Sequence, residues 1–322
     1  MKLPEGFAKR IRCQLGDEAE AFFSALAGSP VRGLRMNPFR EGYHTPFRDA
    51  VVRIDWCGEG WEIPAESLAG VTIAHEAGAF YLQEPGAMIP AEVMNAKPGE
   101  RILDLCGAPG GKSTQMGTDM KGEGLLICNE PIPKRAAILS RNVERMGISN
   151  AIVTCAWPEQ LAEKWPEGFD GVMVDAPCSG EGMFRRNPEA IGEWSEEKAL
   201  GCVSRQREIL EAAAKMVRPG GRIVYATCTF HPLENEEQVK GFLREYPDFE
   251  AESFELPGVD GKCGWFTCWP HRNRGEGQFT ALLRKKGRGE AHLRSGEKAF
   301  RMDAETVKMI REIGRALCRE RV

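Results

Sequence analysis

The chain has 322 residues, enough for one large or two modest domains with a proper core. With 42% hydrophobic and 28% charged residues, no apolar run near the roughly 20 residues that cross a bilayer, and no apolar segment in its start MKLPEGFAKRIRCQLGDEAEAFF, it reads as a soluble, cytoplasmic protein without a secretory signal. A net charge of −4 excludes a wholly basic polyanion binder, so any nucleic acid must meet a local basic face, and eleven cysteines in no repeating pattern argue against a disulfide framework.

Residues 1 to about 75 are mixed, with a basic amphipathic start and a short turn-rich middle. From about 76 to 287 the pattern alternates between strand-like and helix-like segments. ERILDLC (100–106) is an apolar run ending at a glycine cluster, and GLLICNE (124–130) is a second, ending at an acidic residue. AIVTCA (151–156), FDGVMVDAP (169–177) and GRIVYATC (221–228) are the third, fourth and fifth. Helical segments separate them. PKRAAILSRNVERMG has a proline near its start and a glycine at its end, SEEKALGCVSRQREILEAAAKMVRPGG runs from a serine cap to Pro219-Gly220-Gly221, and LENEEQVKGFLREYP follows the fifth run. Apolar runs of this length, spaced by helices, predict an α/β protein with a parallel sheet covered on both faces. Residues 288–322 form a charged tail ending in a predicted helix, MDAETVKMIREIGRALCRERV.

Ligands of such sheets sit at the carboxyl ends of the strands. There this sequence places Cys106-Gly107-Ala108-Pro109-Gly110-Gly111-Lys112-Ser113, Glu130, Asp175-Ala176-Pro177-Cys178 and Thr227-Cys228-Thr229. The glycine segment is not a phosphate loop. The position five residues before Gly111 is Cys106, Gly107 comes one residue too late, and Pro109 stiffens a loop that would have to wrap phosphates. Nor is there a dinucleotide G-x-G-x-x-G. What remains is a glycine turn that admits a ligand without a pyrophosphate, such as S-adenosyl-L-methionine, with Glu130 suited to its ribose hydroxyls. The usual fate of a cysteine is burial in a core. Two strand-end cysteines beside the Asp175 carboxylate resemble nucleophilic chemistry more than packing. A metal is not expected: Cys178 and Cys228 lack short-spaced partners, and Cys263, Cys268 and His271 make only a loose trio. These residues alone do not decide which cysteine is the nucleophile.

The segments LQEPGAMIPAEVM, LDLCGAPGGKS, NEPIPKRAAILSRNVERMG, DAPCSGEGMFRRNP and YATCTFHPLENE resemble the Sun-type family of RNA 5-methylcytosine methyltransferases, in the family's order and at its spacing. They are most similar to its bacterial small-subunit ribosomal RNA branch, the methyltransferase F-like (RsmF-like) proteins. The resemblance covers roughly 80–287, with a weaker echo in GLRMNPFR (33–40). It implies a Rossmann-like class I methyltransferase fold: a seven-stranded, mostly parallel sheet with helices on both faces. WFTCWPHRN and GQFTALLRKK fit the last two strands, the final one antiparallel. It also implies a small α+β N-terminal domain of RNA-binding type over 1–75, a methyltransferase domain over 76–287, and a tail at 288–322 leading toward a further domain.

The implied activity is methylation of cytosine carbon 5 in RNA by an RNA (cytosine-5-)-methyltransferase, with S-adenosyl-L-methionine as cofactor. The expected substrate is small-subunit rRNA, in the ribosomal small subunit, met by a monomer. A transfer RNA enzyme and a catalytically idle assembly factor are the alternatives. Cys228 is then the nucleophile, Cys178 assists elimination, and Asp175 holds the cytosine edge and touches the cofactor. Cys106, Gly107, Ala108, Pro109, Gly110, Gly111, Lys112 and Glu130 bind the cofactor. One position departs from the family: where many members carry an aspartate for the adenine, this chain has Trp157, with Glu159 as a substitute. Candidate RNA contacts are Arg185 and Arg186, with Lys9, Arg10, Arg12, Arg32, Arg35 and the stretch Arg284 to Arg288.

Overall fold

The computed structural model describes residues 3–40 and 50–289; the tail helix expected near the C-terminus lies outside the described residues. The chain begins with helices α1 (Glu5–Leu15) and α2 (Ala19–Ala27). Phe7 and Ile11 stand four residues apart on one face of α1, and Ala19, Phe22 and Leu26 recur at helical spacing on α2, so each helix has one apolar stripe to bury. Both stripes meet Phe184, Phe230 and Trp269 from the second half of the chain. Phe230 stacks on Trp269 at 4.9 Å and meets Phe22 edge-on at 5.1 Å. The N-terminal helices are thereby packed against the segment that follows Cys228.

Next comes an antiparallel sheet of β1 (Arg32–Met36), β2 (Val52–Arg53), β3 (Gly60–Ile63) and β4 (Phe80–Leu82), in the order β2-β3-β1-β4. A short α3 (Ile73–Glu76) precedes β4, capped by the Thr72 hydroxyl, which accepts from His75 N–H at 3.2 Å. This small sheet reaches Leu82.

The large sheet follows α4 (Ile89–Met94). Its parallel part is built from β5 (Arg101–Asp104), α5 (Gly111–Asp119), β6 (Leu125–Asn129), α6 (Pro133–Met146), β7 (Ala151–Thr154), α7 (Pro158–Lys164), β8 (Phe169–Asp175), α8 (Glu189–Glu193), α9 (Glu196–Met216) and β9 (Val217–Thr227). Helix α10 (Glu236–Glu245) leads to β10 (Phe249–Ala251), a β11 (Phe254–Leu256) and β12 (Val259–Gly261) ribbon, β13 (Trp265–Cys268) and β14 (Gln278–Lys285). The strand order is β10-β14-β9-β8-β5-β6-β7, with β13 also on β14. The pairs among β5 to β9 are parallel, and β14 runs antiparallel to β9. The five apolar runs are the five parallel strands, WFTC is β13 and the long final run is β14.

The sheet has eight strands rather than seven because two short strands share the outer edge of β14. β10 takes Leu283–Lys285 and β13 takes Gln278–Ala281. Alternation along each strand sends neighbours to opposite faces. Ile102, Leu126, Met173 and Val224 enter one core, with Met94, Met116 and Leu139. Leu103, Ile127, Val172, Val174, Ile223 and Tyr225 enter the other, with Ile209 and Leu210 of α9. Strand order reverses between β5 and β8, and the crevice outside their carboxyl ends is the topological switch point where ligands of such sheets bind.

Candidate active site

β5 ends at Asp104, and residues 106–111 turn the chain into α5. The loop lies close against its neighbours. Gly107 N–H donates to Asn129 O at 2.7 Å, and a Cβ on Gly107 would stand 2.9 Å from Ser113 Oγ and 3.3 Å from the Asp104 carboxyl carbon. Gly110 caps α5 at φ +115, a conformation open to glycine. Asn129 staples three strand ends: its Nδ2 donates to Leu105 O (3.1 Å) and Ala156 O (2.9 Å), while its Oδ1 accepts from Thr154 Oγ1 (2.9 Å) and Ala156 N–H (3.2 Å).

The crevice is lined with acceptors. Asp104 is fully buried, and burial pushes its carboxyl up to about 7 even though Ser113 Oγ donates to Oδ2 at 2.6 Å. Its Oδ1 has no hydrogen-bond partner among the described residues. Glu130 is buried at the end of β6; Oε1 accepts from Ile132 N–H at 3.1 Å and Oε2 pairs with Arg135 at 3.2 Å. Arg135 also donates to Ala108 O at 3.1 Å, tying the glycine loop to Glu130. Cys106 packs at the loop entrance, its thiol pushed up by burial and by the surrounding carboxylates. An orphaned buried carboxylate oxygen, a second carboxylate one strand over and a backbone-lined turn fit a cationic ligand bearing a ribose. Trp157 is 50% exposed at the start of α7, its N–H bonded to Gln160 Oε1 at 2.9 Å, and Glu159 is exposed in the first turn.

The two cysteines meet. β8 ends at Asp175 and β9 at Thr227, adjacent parallel strands whose next residues carry Cys178 and Cys228 to a Sγ–Sγ distance of 3.3 Å. Cys228 N–H donates to Cys178 Sγ, also at 3.3 Å. The hydrogen bond with Cys228, and then burial, push the Cys178 thiol well above its ordinary range, which favours its protonated form. Lys112 Nζ lies 2.8 Å from Asp175 Oδ2. Burial alone would lower the Lys112 ammonium, but the charges of Asp175, Cys228 and Asp104 outweigh it and raise it.

Two buried glutamates hold the cysteine loops. Glu181 accepts from Arg10, from Trp194 Nε1 at 3.0 Å and from Phe230 N–H at 3.2 Å. Glu234 accepts from Ser179 N–H and from Gln206 Nε2, each at 2.9 Å. Gly182 N–H donates to Cys228 O at 2.9 Å, and a Cβ on Gly182 would lie 2.6 Å from Gly277 O. Sequence reasoning missed Asp104, Asn129, Glu181 and Glu234. Both glutamates stand inside the cysteine motifs DAPCSGEG and TCTFHPLENE, and that proximity was the available signal.

Most of the candidate RNA contacts are engaged within the chain. The Arg185 side chain is 7% exposed and spends its donors on Glu276 (2.7 Å), Ala25 O (3.0 Å) and Gly275 O (2.9 Å). Arg10 is committed to Glu181, Arg32 to Ala65 O and Ser67 O, and Arg284 to Glu252. Arg35 is buried and bonds Thr114 Oγ1 at 2.9 Å and Thr118 Oγ1 at 3.3 Å, bracing α5 against β1. Lys285 donates to Val217 O and Lys286 to Pro247 O. Lys9, Arg12, Arg186 and Arg288 are exposed, with Arg12 at 3.3 Å from Glu20. The reason is shared: a guanidinium among buried acceptors satisfies them first. A separate cleft of about 360 Å³ opens at the opposite ends of the strands, and two ion pairs line it, Arg222 with Glu100 and Arg284 with Glu252. Among the described residues no helix is long and apolar enough to cross a membrane.

Residues 91–284 match the family model described as 16S rRNA methyltransferase RsmB/F, and residues 3–85 match that of the N-terminal domain of 16S rRNA methyltransferase RsmF. Ribosomal RNA small subunit methyltransferase F of Erwinia tasmaniensis is 33% identical over 303 residues, covering 88% of this chain and 63% of its own length. The protein of the same description from Citrobacter koseri is 37% identical over 254 residues, covering 74% of this chain and 53% of its own. The chain therefore spans less than two thirds of either relative. A methyltransferase homolog protein from Pyrococcus horikoshii superposes with a TM-score of 0.75 over 88% of this chain and 95% of that one, at 24% identity, a likeness of fold.

Proposed function

This chain belongs to the 16S rRNA methyltransferase RsmB/F family, and from that premise we propose that it methylates carbon 5 of a cytosine in small-subunit rRNA, using S-adenosyl-L-methionine and a covalent Cys228 adduct. The observation that carries the reading is the pair of thiols 3.3 Å apart at the ends of two parallel strands, beside the Lys112–Asp175 ion pair.

Carbon 5 of cytosine is a weak nucleophile. Addition of the Cys228 thiolate to carbon 6 forms a C–S bond and moves electron density to carbon 5, with Asp175 at the cytosine edge to stabilise the adduct. The cofactor supplies an electrophilic methyl on a sulfonium, and Glu130, Asp104 and the 106–111 loop are the residues that would hold it. Once the methyl is on carbon 5, a base takes the carbon-5 proton, the C6–S bond breaks and the electron pair returns to Cys228 as a thiolate. Cys178, its thiol raised well above the ordinary range, stands 3.3 Å from that departing sulfur and would assist the elimination. Lys112 lies close enough to stabilise negative charge on Cys228 at the first and last steps. A paired cytosine is out of reach of this chemistry, so the base is unpaired or flipped when it reacts.

Cys178→Ala and Cys228→Ala proteins, incubated with cofactor and small-subunit rRNA, assembled subunits or tRNA, test the reading on denaturing gels. A slowly migrating, RNase-sensitive band with Cys178→Ala and none with Cys228→Ala is expected, with rRNA preferred. Reversed roles would overturn the cysteine assignment. A wild-type protein that transfers no methyl to any of these RNAs would overturn the activity.

A further inference from the structure

Glu234 and Asn235 are consecutive and both buried. Each bonds residues that neighbour one of the two cysteines. Glu234 Oε2 accepts from Ser179 N–H at 2.9 Å, Oε1 accepts from the Ser179 hydroxyl, and Oε2 also takes Gln206 Nε2 at 2.9 Å. The same Gln206 amide donates to Pro177 O at 3.0 Å. Residues 177 and 179, which flank Cys178, are thus both tied to one carboxylate network. Asn235 does the same for Cys228: its Oδ1 accepts from Thr227 Oγ1 at 2.6 Å, and its Nδ2 donates to Thr229 O at 2.9 Å. A cross-link closes the arrangement, Ser179 Oγ to Thr229 Oγ1 at 2.7 Å. The Tyr225 hydroxyl, donating to Glu234 O at 2.6 Å, fixes the dipeptide itself to β9.

We infer that the Glu234–Asn235 dipeptide is the positioning device that sets the distance between the two thiols, Glu234 aiming Cys178 and Asn235 aiming Cys228. The two cysteines sit on separate loops with no covalent tie. This turn before α10 is bonded to Ser179 after Cys178, through Gln206 to Pro177 before it, and to Thr227 and Thr229 on either side of Cys228. The inference rests on the roles proposed above for the two cysteines and deepens them: Glu234 governs release of the methylated base, whereas Asn235 governs attack on it. The two halves therefore fail in opposite ways. When Glu234 is lost, Cys178 drifts from the departing sulfur and the covalent RNA adduct accumulates. When Asn235 is lost, Cys228 is misaimed and the adduct forms slowly.

The test compares Glu234→Ala, Glu234→Gln, Ser179→Ala, Asn235→Ala and Thr227→Val with Cys178→Ala as the control, each incubated with rRNA and S-adenosyl-L-methionine. Folding is checked by thermal unfolding and cofactor binding by calorimetry. Glu234→Ala and Ser179→Ala are expected to give the RNase-sensitive band seen with Cys178→Ala, with multiple-turnover kcat down by about tenfold or more for Glu234→Ala, the loss of a charge-assisted bond. Glu234→Gln, which keeps one acceptor for Ser179 N–H, recovers part of the rate. Asn235→Ala and Thr227→Val are expected to slow the first methyl transfer and give no band. Should either alanine variant at 234 or 235 fail to fold, Ser179→Ala and Thr227→Val, which remove one hydroxyl each, decide the matter. If folded variants on both sides lose activity alike with no trapped RNA while Cys178→Ala traps it, the dipeptide is structural and the inference falls alone. If Cys178→Ala itself traps nothing, the cysteine roles fall and the inference with them.

Discussion

Replacing Arg10 by methionine removes the cation from a fully buried carboxylate. Glu181 is inaccessible, and the Arg10 side chain is 16% exposed. Breaking a buried pair from one side costs about 3–5 kcal/mol because the remaining charge is stranded. Here Glu181 keeps Trp194 Nε1 at 3.0 Å and Phe230 N–H at 3.2 Å, and Arg10 is partly wet, so the loss falls at or just below the bottom of that range, about 2–3 kcal/mol. At about 2–4 °C per kcal/mol for a chain of a few hundred residues, Tm falls by roughly 4–12 °C. Methionine keeps an apolar stem but also removes the guanidinium that lies 5.5 Å from the Phe7 ring centroid, a contact that the double variant does not restore. Calorimetric unfolding at neutral pH reads the effect, and Arg10→Met combined with Glu181→Gln separates its cause. The double variant should recover more than half of the lost Tm, since no charge is left stranded. A single-variant shift under about 1 °C would show that the pair contributes nothing net, as exposed pairs do, and would refute the view that it pins α1 to the cysteine loops.

Two further outcomes follow from the site. Asp104 titrates at about 7 in the folded protein against an ordinary 3.8. Its folded value is above its unfolded one, so the stability it contributes is full below about pH 4 and is lost as pH rises toward 7, with a slope of at most about 1.4 kcal/mol per unit. Asp104→Asn should therefore gain on wild type between pH 4 and 7 in denaturant titrations, and a difference that does not change with pH would contradict this. Gly182→Ala puts a Cβ 2.6 Å from Gly277 O and 3.0 Å from Cys228 O, both backbone atoms that must move. A loss of about 1–3 kcal/mol and weaker methyl transfer are expected, and unchanged unfolding and activity would mean the two loops do not approach so closely.

What the sequence determined is what local chemistry dictates. Short apolar runs marked β5 to β9, Ser195 capped α9, and the glycine turn had to follow β5, because run length, capping and positive φ are properties of a few consecutive residues; α9 itself ends at Met216, and the glycines expected to close it lie inside β9. The cysteines were legible as strand-end residues for the same reason. Their meeting at 3.3 Å was not, since it depends on β8 and β9 being neighbours in register. Nor was the eighth strand, a three-residue segment too short to show a period. The arginines are the sharpest case. Arg185 and Arg10 read as free cations, yet their partners, Glu276 and Glu181, lie 91 and 171 residues away. A long charged side chain takes whatever buried acceptor the fold brings within reach, and only the tertiary structure decides which one that is.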